Sequence, residues 1–303
     1  MIVANNITDL IGRTPLLRID KVVGPGDATL YAKLEWYNIG GSVKDRMALH
    51  LIERAKSKGR LDKDKTILEA TSGNTGIALA MIAAAQGYKI TIVMPESASL
   101  ERRRIIKAYG AELILSPGEK GTGGAVELKQ KLLAEQPEKY VDVNQFQDPA
   151  NIMAHYQTTG QEILEQTGGS VDMVVVGVGT AGTGVGVSMR LKEYDPAIRV
   201  VGVMPKLGVS IPGLRNPGES NPTKLFRRKA FDEVIELAKE EIPATMETAR
   251  RLSKEEGLLV GSSSGAIVHV ALKKARELGK GRTIVAVLPD SGERYLSTTL
   301  FDL

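Results

Sequence analysis

Lys44 is the residue whose position in the sequence most strongly indicates a binding or catalytic role. It follows two glycines and a serine in the stretch NIGGSVKDRMAL (38–49), and a helical pattern begins directly after it. A cation in the first turn of a helix is unfavourable, because the helix dipole favours anions there. Two kinds of chemistry would account for the lysine. A permanent cation can pair with a phosphate, and a desolvated amine can form a Schiff base with a carbonyl.

Three polar, glycine-rich turns each lie between a predicted strand and a predicted helix: TSGNTG (71–76), GVGTAGTG (177–184) and GSSSGA (261–266). Ligands of open α/β sheets bind outside the carboxyl ends of the strands, which is where these turns fall. Hydroxyl and amide side chains beside free helix amides suit a carboxylate or a phosphate. For the first and third turns the alternative is an ordinary serine or threonine N-cap.

The second turn also contains the pattern G-x-G-x-x-G, at Gly177, Gly179 and Gly182. A dinucleotide site of this type expects an acidic residue at the end of the next strand, where it binds a ribose hydroxyl. That strand ends in VMPK (203–206), without an acid. We therefore favour a phosphate cradle of backbone amides with Thr180 and Thr183. No G-K-[ST] follows the glycines, which excludes a Walker loop.

The elements that must position these residues alternate between short apolar runs and helical patterns, which is typical of parallel α/β architecture. The predicted strands form two series: 66–70, 89–95 and 111–116, then 171–179, 198–205, 231–237, 257–261 and 282–290. The segment between the series, 145–164, has a helical pattern.

Composition restricts the class of protein. The chain has 303 residues, no cysteine and a net charge of +4, and its three histidines are far apart. Disulfides and thiolate metal sites are excluded, and a histidine metal cluster is not predicted. No export signal or apolar run of the ~20 residues needed for a membrane span is present, so a soluble, cytoplasmic protein is expected. Aromatic residues are only 4%. The basic run KLFRRK (224–229) is therefore interpreted as a solvated loop or a contact to an anionic substrate, and nucleic acid is not an expected partner.

Several motifs occur in order along nearly the whole chain: IGRTPLLRI, GGSVKDR, EATSGNTGIALA, GAELIL, NQFQDPAN, GTAGT, GSSSGA and PDSGERYLST. With them the chain resembles the fold-type II pyridoxal 5′-phosphate enzymes, and within these the cysteine synthases (O-acetylserine sulfhydrylases). SIPGLR (210–215) is similar to the B-type branch. The resemblance implies an α/β fold like that of the tryptophan synthase β chain: two open twisted sheets, mostly parallel, in two domains with the cofactor in the cleft. The implied domains are a smaller, mobile substrate-side domain (36–147) and a larger cofactor-binding domain (1–35 and 148–303).

The resemblance also implies roles for single residues. Lys44 is expected to hold pyridoxal 5′-phosphate as a Schiff base and to remove the α-proton of the substrate. Asn74 matches the contact to the pyridoxal hydroxyl, and Ser263 matches the partner of the pyridine nitrogen. The phosphate is expected at Gly179, Thr180, Ala181, Gly182 and Thr183. The substrate carboxylate is expected at Thr71, Ser72, Gly73 and Thr75, with Gln145 as a further contact.

The implied reaction replaces the β-substituent of O-acetyl-L-serine with sulfide and yields L-cysteine. A carboxylate beside the pyridine nitrogen would keep it protonated, whereas a serine hydroxyl leaves it largely neutral, which suits elimination of a good leaving group. O-phosphoserine is the other donor considered, because the long loop 205–230 adds several cations. Arg215 is the residue that we expect to contact a leaving phosphate.

Other interpretations stay open at this stage. Related folds carry cystathionine β-synthase, diaminopropionate synthase and threonine dehydratase activities, and fold alone does not separate them. A dinucleotide-binding protein and a non-catalytic relative are further alternatives. The resemblance implies a homodimer. The sulfur donor (sulfide, thiosulfate or a carrier protein) and an association with serine acetyltransferase are not decided by the sequence.

Overall fold

The structure is a computed structural model that describes residues 3–218 and 223–301. In chain order its strands are β1 (Leu16–Ile19), β2 (Thr29–Leu34), β3 (Thr66–Ala70), β4 (Lys89–Pro95), β5 (Glu112–Ser116), β6 (Tyr140–Asp142), β7 (Met173–Gly177), β8 (Arg199–Pro205), β9 (Glu233–Leu237) and β10 (Thr283–Leu288). Its α-helices are α1 (Lys44–Ser57), α2 (Asn74–Gln86), α3 (Leu100–Ala108), α4 (Gly121–Glu135), α5 (Ala150–Ala154), α6 (Gly160–Thr167), α7 (Gly182–Tyr194), α8 (Ile242–Glu256) and α9 (Ser262–Leu278). Among the described residues, no helix is both long and apolar enough to cross a membrane.

The chain divides into two compact units. The first unit comprises Met1–Ile11 and Lys44–Asn151, and the second comprises Gly12–Val43 and Ile152–Leu303. Residues 1–11 and 148–151 group with the first unit and residues 36–43 with the second, and the domain bounds expected from the sequence stay a prediction. The mobility expected for the smaller domain stays a prediction.

The first unit is built on a four-stranded parallel sheet with the order β5-β4-β3-β6. β3 is buried along its whole length, and β4 is buried after its first residue. Such continuous apolar runs are expected where helices cover both faces of a parallel sheet. α2, whose sequence is almost entirely apolar, is largely buried and ends at Gly87 in the left-handed conformation with φ 69°. This positive φ is a common way for a helix to end.

The second unit is built on a six-stranded sheet with the order β1-β2-β10-β7-β8-β9. Only the β1–β2 pair is antiparallel. Residues of α8 and α9 belong to one apolar core cluster, and residues of α6 and α7 belong to another. The predicted fold class, α/β with two mostly parallel sheets, is therefore confirmed.

Two predicted elements are wrong in detail. Residues 257–261 do not form a strand: Gly257 ends α8 with φ 71°, Gly261 is the N-cap of α9, and Val260 makes only an isolated bridge with Ser291. Too few residues remain between the two helices for a ladder. The helix predicted over 145–164 begins only at Ala150, because the residues before it form hydrogen-bonded turns.

Candidate active site

Lys44 is the first residue of α1, and the residues just before it belong to the second unit. The Val43 amide donates to the Pro289 carbonyl at 2.9 Å. Ser42 forms a β-bridge with Asp290. Both partners follow directly after β10. The chain that leads to Lys44 is therefore fixed at the carboxyl end of β10.

The glycines ahead of Lys44 have a steric explanation. Gly41 has φ 79°, a conformation that strains other residues. A Cβ at this position would lie 2.5 Å from Nη2 of Arg294. The Arg294 guanidinium donates to the Gly40 carbonyl. Arg294 therefore holds the turn that leads to the lysine, a role that the sequence analysis did not assign to it.

The TSGNTG turn joins β3 to α2, and a hydroxyl of the turn stabilises the turn itself. The Gly73 amide donates to Thr71 Oγ1 at 3.1 Å. Gly73 is the N-cap of α2, and no side chain of a described residue caps this helix. Thr71 is buried, while Ser72 and Asn74 are half-buried. The N-cap alternative therefore does not hold here, and the N-terminus of α2 can accept an anion.

Gln145 is joined to this turn through both ends of its side chain. Thr75 Oγ1 donates to Gln145 Oε1 at 2.7 Å, and Gln145 Nε2 donates to the Ala70 carbonyl at 3.4 Å. The main-chain amide of Gln145 donates to Glu69 Oε2 at 3.0 Å. Two of the predicted carboxylate contacts, Thr75 and Gln145, are thus hydrogen-bonded to each other.

A buried ionic cluster lies behind the turn, and the sequence analysis missed it. Lys129 Nζ on α4 lies 3.2 Å from Glu69 Oε1 and 2.9 Å from Asp142 Oδ1. Burial raises the pKa of the Glu69 carboxyl, and the Lys129 ammonium opposes that rise. Burial also acts to lower the pKa of Lys129, but Glu69 and Asp142 outweigh it, so the pKa of this lysine is raised. The one signal in the sequence was a glutamate inside the otherwise apolar strand TILEA.

The turn after β7 presents the N-terminus of α7. Ala181 is the N-cap in a left-handed conformation, φ 71°, and no described side chain caps the helix. The Gly182 amide donates to Thr180 Oγ1 at 3.3 Å. A Cβ at Gly179 would lie 2.9 Å from the Gly213 carbonyl oxygen, so only glycine fits there. This tight turn leaves the helix N-terminus open to an anion, as a phosphate cradle requires.

Thr183, the last predicted phosphate contact, is hydrogen-bonded to a histidine. His155 Nε2 lies 3.2 Å from Thr183 Oγ1, and His155 Nδ1 lies 2.9 Å from Thr159 Oγ1. Residues 155–159 form a π-helical turn between α5 and α6. Such turns occur frequently at functional sites. The sequence analysis missed His155, because a single histidine in a helical pattern carries no spacing signal.

Ser263 lies in the first turn of α9 and is 1% exposed. Within the described part of the chain, its hydroxyl makes no hydrogen bond. The N-cap of α9 is Gly261, and no described side chain caps this helix either. The N-cap alternative thus also fails for the third turn. A Cβ at Gly213 would lie 3.2 Å from Ser263 Oγ, so the backbone of the preceding loop passes close to this hydroxyl.

The backbone of Arg215 is hydrogen-bonded to the phosphate turn. Its amide donates to the Val178 carbonyl at 2.8 Å, and its side chain is half-buried. Farther along the loop, Thr223 Oγ1 donates to the Thr180 carbonyl at 2.7 Å. Residues 219–222 of the loop lie outside the described residues. The role expected for Arg215 in binding a leaving phosphate stays a prediction.

The predicted site residues are thus distributed over both units. The first unit carries Lys44, the TSGNTG turn and Gln145, whereas the second carries the phosphate turn, Ser263 and Arg215. Each of the three helices that follow the glycine-rich turns begins without a side-chain cap among the described residues. The first unit thus offers a lysine amine and an uncapped helix N-terminus, and the second offers two uncapped helix N-termini and a buried neutral hydroxyl. The dinucleotide interpretation lacks its acidic residue, because β8 ends at Pro205 and Lys206 follows.

Comparison with known proteins identifies the family. The family described as pyridoxal-phosphate dependent enzymes matches residues 7–290 of this chain. A cysteine synthase of Staphylococcus aureus strain Mu50 is 45% identical, over 98% of this chain and 97% of that protein.

Solved structures with high similarity cover nearly the whole fold. An O-ureido-L-serine synthase superposes with a TM-score of 0.92 at 40% identity, covering 99% of this chain and 96% of that one. A cysteine synthase from Entamoeba histolytica superposes with a TM-score of 0.90 at 39% identity, covering 100% and 92%.

Proposed function

Because this chain belongs to the family of pyridoxal-phosphate dependent enzymes, we propose that it is a cysteine synthase. The reaction exchanges the acetate of O-acetyl-L-serine for sulfide at Cβ and gives L-cysteine. Within the structure, the buried Ser263 hydroxyl carries the proposal, since it lacks a partner among the described residues and presents a neutral donor. The pyridine nitrogen of the cofactor is an acceptor that suits it.

The described residues fit pyridoxal 5′-phosphate in their donor chemistry. The uncapped N-terminus of α7 and the hydroxyls of Thr180 and Thr183 suit the phosphate. Lys44 supplies the amine that holds the aldehyde, and Asn74 supplies an amide for the ring hydroxyl. When bound, the cofactor withdraws electrons from the substrate Cα and so makes its proton acidic.

The chain's own residues then bind the substrate and move its proton. The helix N-terminus at Gly73 and the hydroxyls of Thr71, Ser72 and Thr75 bind the substrate carboxylate, with Gln145 as a further contact. The ε-nitrogen of Lys44 would accept the α-proton of the substrate. Ser263 donates a hydrogen bond without adding charge, which favours rapid loss of acetate over long storage of charge on the ring.

A comparison of donors tests the activity. O-acetyl-L-serine, O-phospho-L-serine and L-serine are each supplied with sulfide, and L-cysteine is measured. We expect cysteine from O-acetylserine, and a protein that forms none from any of the donors contradicts the proposal. Mass spectrometry of the products would also detect other β-substituted amino acids, such as the product that gives the O-ureido-L-serine synthase its name.

A second experiment tests the role of Lys44. The purified protein is expected to absorb in the near-violet, and borohydride should bleach it. Lys44→Ala should lose both properties, whereas Lys56→Ala in the last turn of the same helix should keep them. Cofactor that remains attached to denatured Lys44→Ala after borohydride reduction would assign the covalent bond to another lysine.

The family resemblance also supports a homodimer in the cytoplasm as part of this proposal. Light scattering of the purified protein should give a mass close to twice the chain mass of 32.6 kDa. Fractionation of the source cells should recover the activity with the soluble cytoplasmic enzymes. A monomeric mass for the active protein contradicts the first expectation, and recovery with membranes contradicts the second.

A further inference from the structure

The buried cluster of Lys129, Glu69 and Asp142 has no role in the reaction as described above. The Lys129 side chain is 3% exposed, that of Glu69 is 0% exposed and that of Asp142 is 21% exposed. Burying ions in this way opposes stability unless each one is paired and hydrogen-bonded. Even a fully paired buried cluster contributes little net stability compared with apolar side chains of similar size, so stability alone does not explain this one.

The Glu69 carboxylate connects two chain segments by accepting main-chain hydrogen bonds. Oε1 accepts from the Ala70 amide at 2.8 Å, at the end of β3. Oε2 accepts from the Gln145 amide at 3.0 Å, in the turn after β6. The carboxylate thus fixes Gln145 relative to the strand that leads into the TSGNTG turn.

Asp142 fixes the same turn from its other side. Its Oδ1 accepts from the Asn144 amide at 2.8 Å, and Asn144 has φ 44°. A positive φ at a residue other than glycine persists only where its surroundings determine it. Lys129 is bound to both carboxylates and so connects the two supports of this turn.

The charge of Glu69 decides whether these hydrogen bonds form. Burial raises the pKa of this carboxyl, and Lys129 is the positive group that opposes the rise, whereas the negative Asp142 adds to it. A carboxyl group that takes up a proton turns one of its two acceptors into a donor. That donor would face either the Ala70 amide or the Gln145 amide, and one of the two bonds would be lost.

We propose that Lys129 is a positioning residue for substrate binding. Its ammonium keeps Glu69 an acceptor for the Gln145 amide and thereby holds Gln145 and Thr75 in place for the substrate carboxylate. The inference rests on the proposed function, because it takes Thr75 and Gln145 as substrate contacts. It adds a residue that touches neither substrate nor cofactor.

Lys129→Met is the variant that tests the proposal, measured as the holoenzyme between about pH 6.5 and pH 9. Without the ammonium, the group that opposes the rise in the pKa of Glu69 is lost, so the pKa of this carboxyl is raised further. The KM for O-acetylserine should therefore increase about tenfold or more at the low end of this range and approach the wild-type value as the pH rises, with kcat changed by no more than about threefold. The wild type should not show this change of KM.

Two further measurements do not depend on turnover. Titration of the cofactor absorbance with L-serine should show the same pH-dependent loss of affinity in Lys129→Met. Hydrogen–deuterium exchange should show faster exchange of the Gln145 amide or of the Ala70 amide in the variant, because one of these two amides loses its acceptor. Unchanged exchange at both amides would contradict the proposal.

Lys274→Met is the matched control. Lys274 is also largely buried and pairs with two carboxylates, Glu233 and Glu277, but in the second unit. The control variant should keep the wild-type KM at each pH. An equal rise of KM in both lysine variants would mean a general loss of stability and would overturn the proposal.

The double variant Lys129→Met/Glu69→Gln tests whether the pH dependence comes from the charge of Glu69, because glutamine has nearly the same shape but does not ionise. An amide does not titrate in this range, and its single oxygen satisfies only one of the two main-chain amides well. Its KM should be raised several-fold and should not depend on pH. If Lys129→Met does not fold, Lys129→Gln carries the same test.

The outcomes separate this inference from the proposed function. If the wild type makes no cysteine, the function has failed, whereas the exchange measurement at the Gln145 and Ala70 amides still tests the cluster. If the wild type is active, two results would overturn the inference. The first is a KM of Lys129→Met within about twofold of the wild-type KM, and the second is a KM that is raised equally at all pH values.

Discussion

At the residue scale, the side chains that resemble catalytic groups are held by residues with no sequence signal of their own. Lys44 was found from its flanking glycines, but Arg294, which holds those glycines, lies near the other end of the chain. Gln145 was found from its motif, whereas Lys129, which pairs with the carboxyl group that accepts from the Gln145 amide, lies in an ordinary helical pattern. A motif can only identify residues that are close together in the sequence. Arg294 and Lys129 are far in sequence from the residues that they hold and contact them only in the folded chain.

The first residue-scale prediction concerns the turn ahead of Lys44. Gly41→Ala puts a Cβ into the Arg294 guanidinium at a positive φ, so it should lower the free energy of unfolding by about 2 kcal/mol and loosen the bound cofactor. Gly59→Ala is the control, since Gly59 has φ 64° and open space around its Cβ position. It should lose about 1 kcal/mol and keep the cofactor. Urea unfolding and cofactor absorbance measure the two effects, and equal results for both variants would contradict the role of Arg294.

The second residue-scale prediction concerns which activated serine, O-acetylserine or O-phosphoserine, is the substrate. The backbone of Arg215 pairs with Val178, beside the phosphate turn, and a guanidinium there would favour a phosphate leaving group. Arg215→Ala should lower kcat/KM for O-phosphoserine by about tenfold and change that for O-acetylserine by less than about twofold. Arg227→Ala, an exposed cation of the same loop, should change neither value. If Arg215→Ala slows both donors equally, the residue does not select between them.

At the element scale, the sequence predicted the elements that are buried on both faces. β3 and β4 have the predicted bounds, because polar residues at each end of a continuous apolar run mark where the strand starts and stops. β6 was missed because it has only three residues, Tyr140–Asp142, and forms by pairing with β3. The π-helical turn at residues 155–159 could not be read from periodicity either, since it depends on how α7 packs against it.

That packing gives the element-scale prediction. A Cβ at Gly186 on α7 would lie 2.8 Å from both the His155 Cβ and the Tyr156 amide nitrogen, and backbone cannot move aside easily. Gly186→Ala should therefore destabilise the protein by roughly 1–3 kcal/mol and weaken the His155 contact to Thr183. Its affinity for pyridoxal 5′-phosphate should fall in a fluorescence titration of the apoprotein. Met189→Ala on the exposed side of the same helix is the control, and an equal loss of affinity there would contradict the prediction.

At the scale of the whole molecule, the sequence predicted two sheets, and the predicted strands that the structure contains lie in the expected sheet, but β1, β2 and β6 were not predicted. The sequence did not predict that residues 1–11 group with the first unit, because residues 7–10, which form a short 3-10 helix, have no strong apolar pattern. The groups expected to bind the cofactor are likewise shared between the units, with Lys44 in the first and the α7 turn in the second. Cofactor binding should therefore affect the stability of the whole protein.

The last prediction follows from that distribution. A ligand that binds only the folded state stabilises it by RT ln(1 + [L]/Kd), which is about 4 kcal/mol at a thousandfold excess over Kd. For a chain of this size the gain corresponds to a rise in Tm of roughly 8–16 °C. Removal of the cofactor with hydroxylamine should lower Tm by this amount, and added pyridoxal 5′-phosphate should restore it. Inorganic phosphate, which lacks the ring and the aldehyde of the cofactor, should restore only a small part of the loss in Tm. Lys44→Ala with added cofactor should have a Tm between that of the apoprotein with phosphate and that of the holoenzyme. An apoprotein and a holoenzyme that melt at the same temperature would mean that these residues do not hold the cofactor.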